Sequence, residues 1–185
     1  DGRRRYDGVR EFLASRGIVV PEGSPDDPPE ANTVCGIGNR KNLAITQAIA
    51  TEGVQTFPET VTYLRAVRDA GLATAVVTAS ANGEAVLRAA GLEGLLDGRI
   101  DGVIAAREKL PGKPAPDTFL AGAALVGVRP EEAVVIEDAI SGVQAARAGG
   151  FGYVVGVDRL DQRAELERAG ADVVVRELTE LMEDA

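Results

Sequence analysis

Three short stretches of this chain carry side chains suited to handling a phosphate. The first is Thr78-Ala79-Ser80-Ala81-Asn82, directly after an apolar run. Its hydroxyls, with the amide hydrogens of a helix that opens there, can hold phosphate oxygens. The second is Lys113 in Gly112-Lys113-Pro114-Ala115-Pro116-Asp117. Prolines on both sides restrict the backbone, so the ammonium can be held where it neutralises a phosphoryl group. The third is Glu137-Asp138, which follows the apolar residues Ala133 to Ile136. Adjacent carboxylates at a strand's carboxyl end suit a hard cation such as Mg2+, and that edge of an open α/β sheet is where ligands bind. Each stretch also has a plainer use. Ser, Thr and Asn cap helices, acidic residues favour helix N-termini, and a lone lysine is ordinarily solvated.

The elements that must position these stretches alternate. After Pro58 the chain reads as helices interleaved with short Val/Ile/Ala-rich strands, the pattern of βαβ units around a parallel sheet. Helices are expected at Glu59 to Ala70, Gly83 to Ala90, Asp117 to Val126, Ser141 to Ala148, Gln162 to Ala169 and Glu177 to Glu183. Strands are expected at Ala73 to Thr78, Ile100 to Ala105, Ala133 to Ile136, Gly152 to Val157 and Asp172 to Val175. Before Pro58 the texture is helical. Tyr6, Val9, Phe12 and Leu13 recur at helical spacing up to Gly17, and a second helical stretch runs from Asn32 to Thr51. Proline-rich PEGSPDDPPEA separates the two as a loop. The expected division is a partial helical segment over residues 1–55 and an α/β unit over 56–185.

Composition excludes several function classes. At 185 residues with 45% hydrophobic residues the chain can bury a core, and with 4% aromatic residues and no Trp that core must be aliphatic, as in parallel α/β sheets. The net charge of −9 leaves no basic surplus for nucleic acid or an anionic membrane. With no His and a single Cys35, imidazole catalysis, His-ligated metals, an internal disulfide and a cysteine-rich zinc site are all excluded. No apolar run is long enough to span a bilayer and no charged leader precedes a short apolar core, so a cytoplasmic protein is expected. Gly36-Ile37-Gly38 follows no strand and lacks a third glycine, which removes a dinucleotide site.

The order of hydroxyl, lysine and acidic pair, each at its own strand end, resembles the haloacid dehalogenase-like superfamily of phosphoryl-transfer enzymes. GKPAPDTF and VIEDAISGVQAARAGG are similar to that family's third and fourth motifs nearly letter for letter, and the likeness covers Pro58 to the end. The resemblance implies a Rossmann-like parallel sheet with flanking helices and a small helical cap. It also implies that Thr78 and Lys113 bind the transferring phosphoryl group and that Asp138 with Glu137 holds Mg2+. Gly38-Asn39-Arg40-Lys41-Asn42 and the run Arg3 to Arg5 concentrate positive charge, which reads equally as a solvated helix face. Their likeness to the β-phosphoglucomutase-like branch implies that Arg5 grips a second, non-transferring phosphate and Lys41 reaches the sugar, with Ser80 and Asn82 helping from the core side. One departure is plain. That branch has a lysine where this chain has Ala81, which weakens a two-phosphate mutase and leaves a simple phosphatase open.

The family's first motif is not found. No Asp-x-Asp follows an apolar strand here, although an aspartyl-phosphate intermediate needs that nucleophile. The expectation is a protein about 50 residues longer, the length of one strand-helix unit and a first cap helix. Its first strand belongs mid-sheet, and without it two apolar strands keep unpaired edges. The 185 residues alone are then expected to be inactive. Two other readings stand beside this one. The chain could be a non-catalytic module that binds a phosphorylated ligand or a partner. A response-regulator-like receiver also has a parallel sheet, acidic strand ends and a lysine, but it lacks a helical cap and carries its acidic pair early.

Overall fold

The structure is a computed structural model that describes residues 2–182. It opens with two helices that pack on each other. Helix α1 (Arg5–Ala14) and helix α2 (Val34–Glu52) bury Val9, Leu13 and Val34 between them, with Tyr6, Val20 and Ile37 at the margin. The intervening proline-rich loop is not loose. Thr33 caps α2 by accepting from the Gly36 N–H at 2.9 Å and donates to Asp27 at 2.6 Å, while the Val34 N–H bonds the Pro21 carbonyl at 2.9 Å. Cys35 is buried at this joint and serves as a small apolar residue.

From residue 58 the fold is α/β. Its elements run α3 (Pro58–Asp69), β1 (Ala75–Val77), α4 (Gly83–Ala89), β2 (Gly98–Ile100), α5 (Gly102–Arg107), α6 (Asp117–Leu125), β3 (Val134–Glu137), α7 (Ile140–Ala148), β4 (Tyr153–Val157), α8 (Arg163–Ala169) and β5 (Val173–Val175). Every strand pair is parallel. Two sheets form, β1-β2 with Ala75 opposite Gly98, and β3-β4-β5 with Val134 opposite Tyr153 and Val155 opposite Val173. Among the described residues β1 pairs only with β2 and β3 only with β4, so each keeps one open edge. Helices α6, α7 and α8 cover one face through Phe119, Val143, Ala146 and Leu166, which close on Val135, Val154 and Val174. Val77 of β1 packs against the same cluster, so α6 ties the two sheets together. The opposite face of β4 and β5 is covered by Tyr63 of α3 and by Leu178 and Leu181 of a closing 3-10 turn.

The aliphatic core that the composition demands is present, with Phe119 and Phe151 meeting edge to face at 5.9 Å as its aromatic exception. Three expected elements are different. Ile100 to Ala105 is not a strand: β2 ends at Ile100, and α5 starts two residues later. The reason is Asp101, whose Oδ1 accepts from the Val103 and Ile104 N–H groups at 3.0 and 2.9 Å and turns the chain into a helix. The strand expected from Ala73 is also shorter, because Thr74 is tied sideways to Asp97 and Leu95. The closing helix expected over Glu177 to Glu183 is the 3-10 turn Leu178–Met182, and Glu183 lies outside the described residues.

Asp101 is 2% exposed and also pairs with Arg99 at 2.9 Å. Replacing it by Ala strips two helix N–H groups of their acceptor and should cost about 1–2 kcal/mol. Urea denaturation would show this as a lower midpoint at unchanged slope.

Candidate active site

The carboxyl ends of β1 and β3 face one cleft, and the loops that leave them are shaped by their own hydrogen bonds. Thr78 extends the β1-β2 ladder by one bond, donating its N–H to the Ile100 carbonyl at 2.9 Å. Thr78 Oγ1 then accepts from the Ser80 N–H at 3.2 Å, and Ser80 Oγ accepts from the Asn82 N–H at 3.1 Å. Each hydroxyl therefore curls the backbone and keeps its own O–H to donate. Gly102 holds the loop from the β2 side. Its N–H donates to the Ser80 carbonyl at 2.9 Å, and a side chain there would put Cβ 2.6 Å from the Ala79 carbonyl oxygen.

Lys113 and Glu137 meet across the end of β3. Lys113 Nζ lies 3.0 Å from Glu137 Oε2, with side chains only 5% and 11% exposed, and it stands 4.4 Å from the centre of the Phe119 ring. Burial pushes the Glu137 carboxyl above its ordinary range, opposed by the Lys113 ammonium and by an N–H from Ala139. Gly142 makes the arrangement possible, because a Cβ at that position would sit 2.1 Å from Glu137 Oε1. Asp138 is different: it is exposed, and its backbone carbonyl accepts from Gln162 Nε2 at 2.8 Å. Its carboxylate makes no hydrogen bond or ion pair among the described residues.

The helical pair closes the cleft from the other side. Half-buried Arg5 donates from Nη2 to Asn42 Oδ1 at 2.7 Å and from Nη1 to Asn39 Oδ1 at 3.4 Å. Asn82 Nδ2 donates to the same Asn42 oxygen at 3.0 Å, which joins the helices to the loop after β1. Lys41 is exposed beside them. The cleft has a volume of about 1110 Å³. Thr78, Ser80 and Asn82 line it from the end of β1, Glu137 and Asp138 from the end of β3, and Arg5 and Lys41 from the helices, while Lys113, expected at a strand end of its own, reaches it from the loop between α5 and α6. A chamber of about 570 Å³ adjoins it, bounded by Arg4, Thr78, Lys113 and Thr118.

All eight side chains singled out in the sequence thus border one cavity. Others are added by the structure. Asn42 shares a helix face with Asn39, three residues away, so its spacing held the signal. Arg4 lies in the basic run, whereas Thr118, whose buried Oγ1 has no hydrogen-bond partner among the described residues, reads in sequence as an ordinary first-turn residue. For a divalent cation the described residues offer the Glu137-Asp138 pair, with no group of three or more acidic, His or Cys side chains. That donor set fits Mg2+, which keeps several waters and is held by one or two carboxylates together with substrate phosphate oxygens. Chemically, the cleft combines hydroxyl donors, a buried lysine, a guanidinium and an exposed carboxylate, the groups needed to hold a phosphorylated molecule at both ends.

Comparison with known proteins gives this arrangement a context. Residues 4–150 match the haloacid dehalogenase-like hydrolases. A Mycobacterium tuberculosis protein named β-phosphoglucomutase is 52% identical over 185 residues, covering 98% of this chain and 71% of its own length. Hexitol phosphatase A of Escherichia coli is 32% identical over 157 residues, covering 85% of this chain and 64% of its own. The crystal structure of a β-phosphoglucomutase from Clostridium difficile superposes with a TM-score of 0.79 at 22% identity, over 97% of this chain and 74% of that one.

Gly142→Ala tests the packing that sets Glu137 against Lys113. The added methyl must displace the carboxylate, and overpacking of this kind costs about 1–3 kcal/mol. The expected result is a lower melting temperature, with a larger loss for Gly142→Val.

Proposed function

This chain belongs to the haloacid dehalogenase-like hydrolases, and from that membership we propose that it transfers a phosphoryl group from a small sugar phosphate with the help of Mg2+. The observation that carries the reading is the convergence of Thr78 and Asp138, from two strand ends, and Lys113, from the loop between α5 and α6, on a cleft that Arg5 closes from the helical side. In this reading residues 1–55 are part of a cap and residues 56–185 the catalytic core.

The roles in this reading are those that the family resemblance implies. The Thr78 hydroxyl and the Lys113 ammonium stabilise charge on the non-bridging oxygens of the transferring group. Glu137 fixes Lys113 in place at 3.0 Å. Asp138, with Glu137 beside it, would hold Mg2+, which when bound supplies further neutralisation of phosphate charge. Arg5 takes the non-transferring phosphate, as a guanidinium does bidentately. Ser80 and Asn82 assist from the loop, and Lys41 reaches the sugar. The helices exclude water while the bond is cut.

The phosphoryl acceptor in this reading is an aspartate of a strand-end Asp-x-Asp that the 185 residues do not contain. A parallel strand between β1 and β3 would pair both open edges and bring its carboxyl end to the cleft, which supports the idea. The aspartate oxygen bonds phosphorus as the bond between phosphorus and the sugar oxygen breaks, and that oxygen takes up a proton from water and leaves as the sugar hydroxyl. The aspartyl phosphate is then opened by water or by a second sugar hydroxyl, which restores the carboxylate. Ala81 favours water, while the name of the 52% identical relative favours a sugar hydroxyl. Among the described residues no helix is long and apolar enough to cross a membrane. The reading takes a small phosphorylated metabolite of the cytoplasm as the partner, with neither nucleic acid nor membrane.

The test is turnover of β-glucose 1-phosphate and related sugar phosphates by the longer protein that carries the Asp-x-Asp, following inorganic phosphate and the isomerised sugar phosphate together. Lys113→Ala should lower kcat/KM by about 10²–10³-fold, the usual effect of losing one charge-stabilising donor. Asp138→Asn should abolish stimulation by Mg2+ with little change in melting temperature, and chelation should do the same to the unaltered protein. Full activity in either variant would remove its residue from the site.

A further inference from the structure

Asn42 is where the two halves of the cleft meet. Its Oδ1 accepts from Arg5 Nη2 at 2.7 Å and from Asn82 Nδ2 at 3.0 Å. These bonds link residues 37 and 40 positions apart, one within the helical pair and one across to the loop after β1. Neighbouring Asn39 is occupied differently. Its oxygen accepts from Tyr6 OH at 2.9 Å and, at the longer distance of 3.4 Å, from Arg5 Nη1, while its Nδ2 donates to the Pro25 and Asp27 carbonyls at 3.0 and 2.8 Å, so it belongs mainly to the framework of the proline-rich loop. The Asn42 Nδ2 group makes no hydrogen bond among the described residues, and the residue lines the cleft.

We propose that Asn42 is a positioning residue that sets the Arg5 guanidinium and the Asn82 amide side by side, so that the cap and the core grip the substrate's non-transferring phosphate as one unit. The inference rests on the assignment of Arg5 and Asn82 to that phosphate. The physical reason is preorganisation. Arginine has many rotamers, and an anion that must order it binds less tightly than one that finds it already held. An amide oxygen has two lone pairs, and here both are used by groups that otherwise belong to separate parts of the fold. A hydrophobic residue at position 42 would free the Asn82 amide and leave Arg5 with only its longer bond to Asn39. A carboxylate would hold both donors but repel the phosphate.

The experiment compares binding of glucose 1,6-bisphosphate, which carries both phosphates, with binding of inorganic phosphate, by calorimetry on the whole chain. Asn42→Ala should weaken the bisphosphate about tenfold, the effect of one hydrogen bond to a charged group, and leave inorganic phosphate unchanged. In an Arg5→Ala background the same substitution should cost clearly less, because only its hold on Asn82 is left to lose. Asn42→Asp keeps an acceptor for both donors and should preserve the melting temperature while still weakening the bisphosphate, which covers the case of a poorly folded alanine variant. Equal losses with and without Arg5, equal losses for both ligands, or no loss would each overturn the inference while leaving the wider reading intact. Failure of the unaltered protein to bind the bisphosphate would instead overturn the wider reading, and the inference with it.

Discussion

A lysine and a glutamate, both nearly buried, face each other at 3.0 Å across the end of β3, and the site is built around keeping them there. Taking two charges out of water is costly, and a pair of apolar side chains of similar volume would serve the sheet as well or better. Removing one partner alone is worse, since it strands the other charge. The surroundings are fitted to the pair. Phe119 offers its ring face to the ammonium, Ala139 offers an N–H to the carboxylate, and Gly142 gives the carboxylate room against α7. In return the lysine has a fixed place at the edge of the cleft, which a solvated lysine on a loop would lack.

The remaining parts arrive at that edge by a common logic. Parallel strands put all their carboxyl ends on one side, so loops from β1 and β3 converge although, among the described residues, no strand of one sheet pairs with a strand of the other. Helix α6 makes this a rigid relation by packing Phe119 into the core that also touches Val77. The same helix follows directly on the segment that carries Lys113. The helical pair is then joined to the strand-end side at the Asn42 oxygen. Three separate pieces of chain share one cavity through a buried helix, an ion pair and an amide.

Much of this was legible in the sequence because the informative residues lie in short, contiguous motifs. Glu137-Asp138 after an apolar strand and Lys113 between prolines need no tertiary information to be noticed. What was hidden depends on distance along the chain. The partnership of Lys113 with Glu137 spans 24 residues and changes the meaning of the acidic pair, since one carboxylate faces the lysine while Asp138 is the exposed one. The misread segment after β2 failed for a local reason: Ile100 to Ala105 is apolar enough for a strand, but the single carboxylate of Asp101 redirects it into a helix. Thr118 gave no signal at all. Its importance as a buried, unpartnered hydroxyl exists only once α6 is placed beside the chamber.

The central claim is that this cleft receives a phosphoryl group between Thr78 and Lys113, with a cation at Asp138. It is tested most directly by a crystal structure of the protein grown with Mg2+ and β-glucose 1-phosphate. The account predicts phosphate oxygens within hydrogen-bonding distance of Lys113 Nζ and Thr78 Oγ1, and a metal on the Asp138 carboxylate. Phosphate bound elsewhere, or a metal that avoids Asp138, would contradict it.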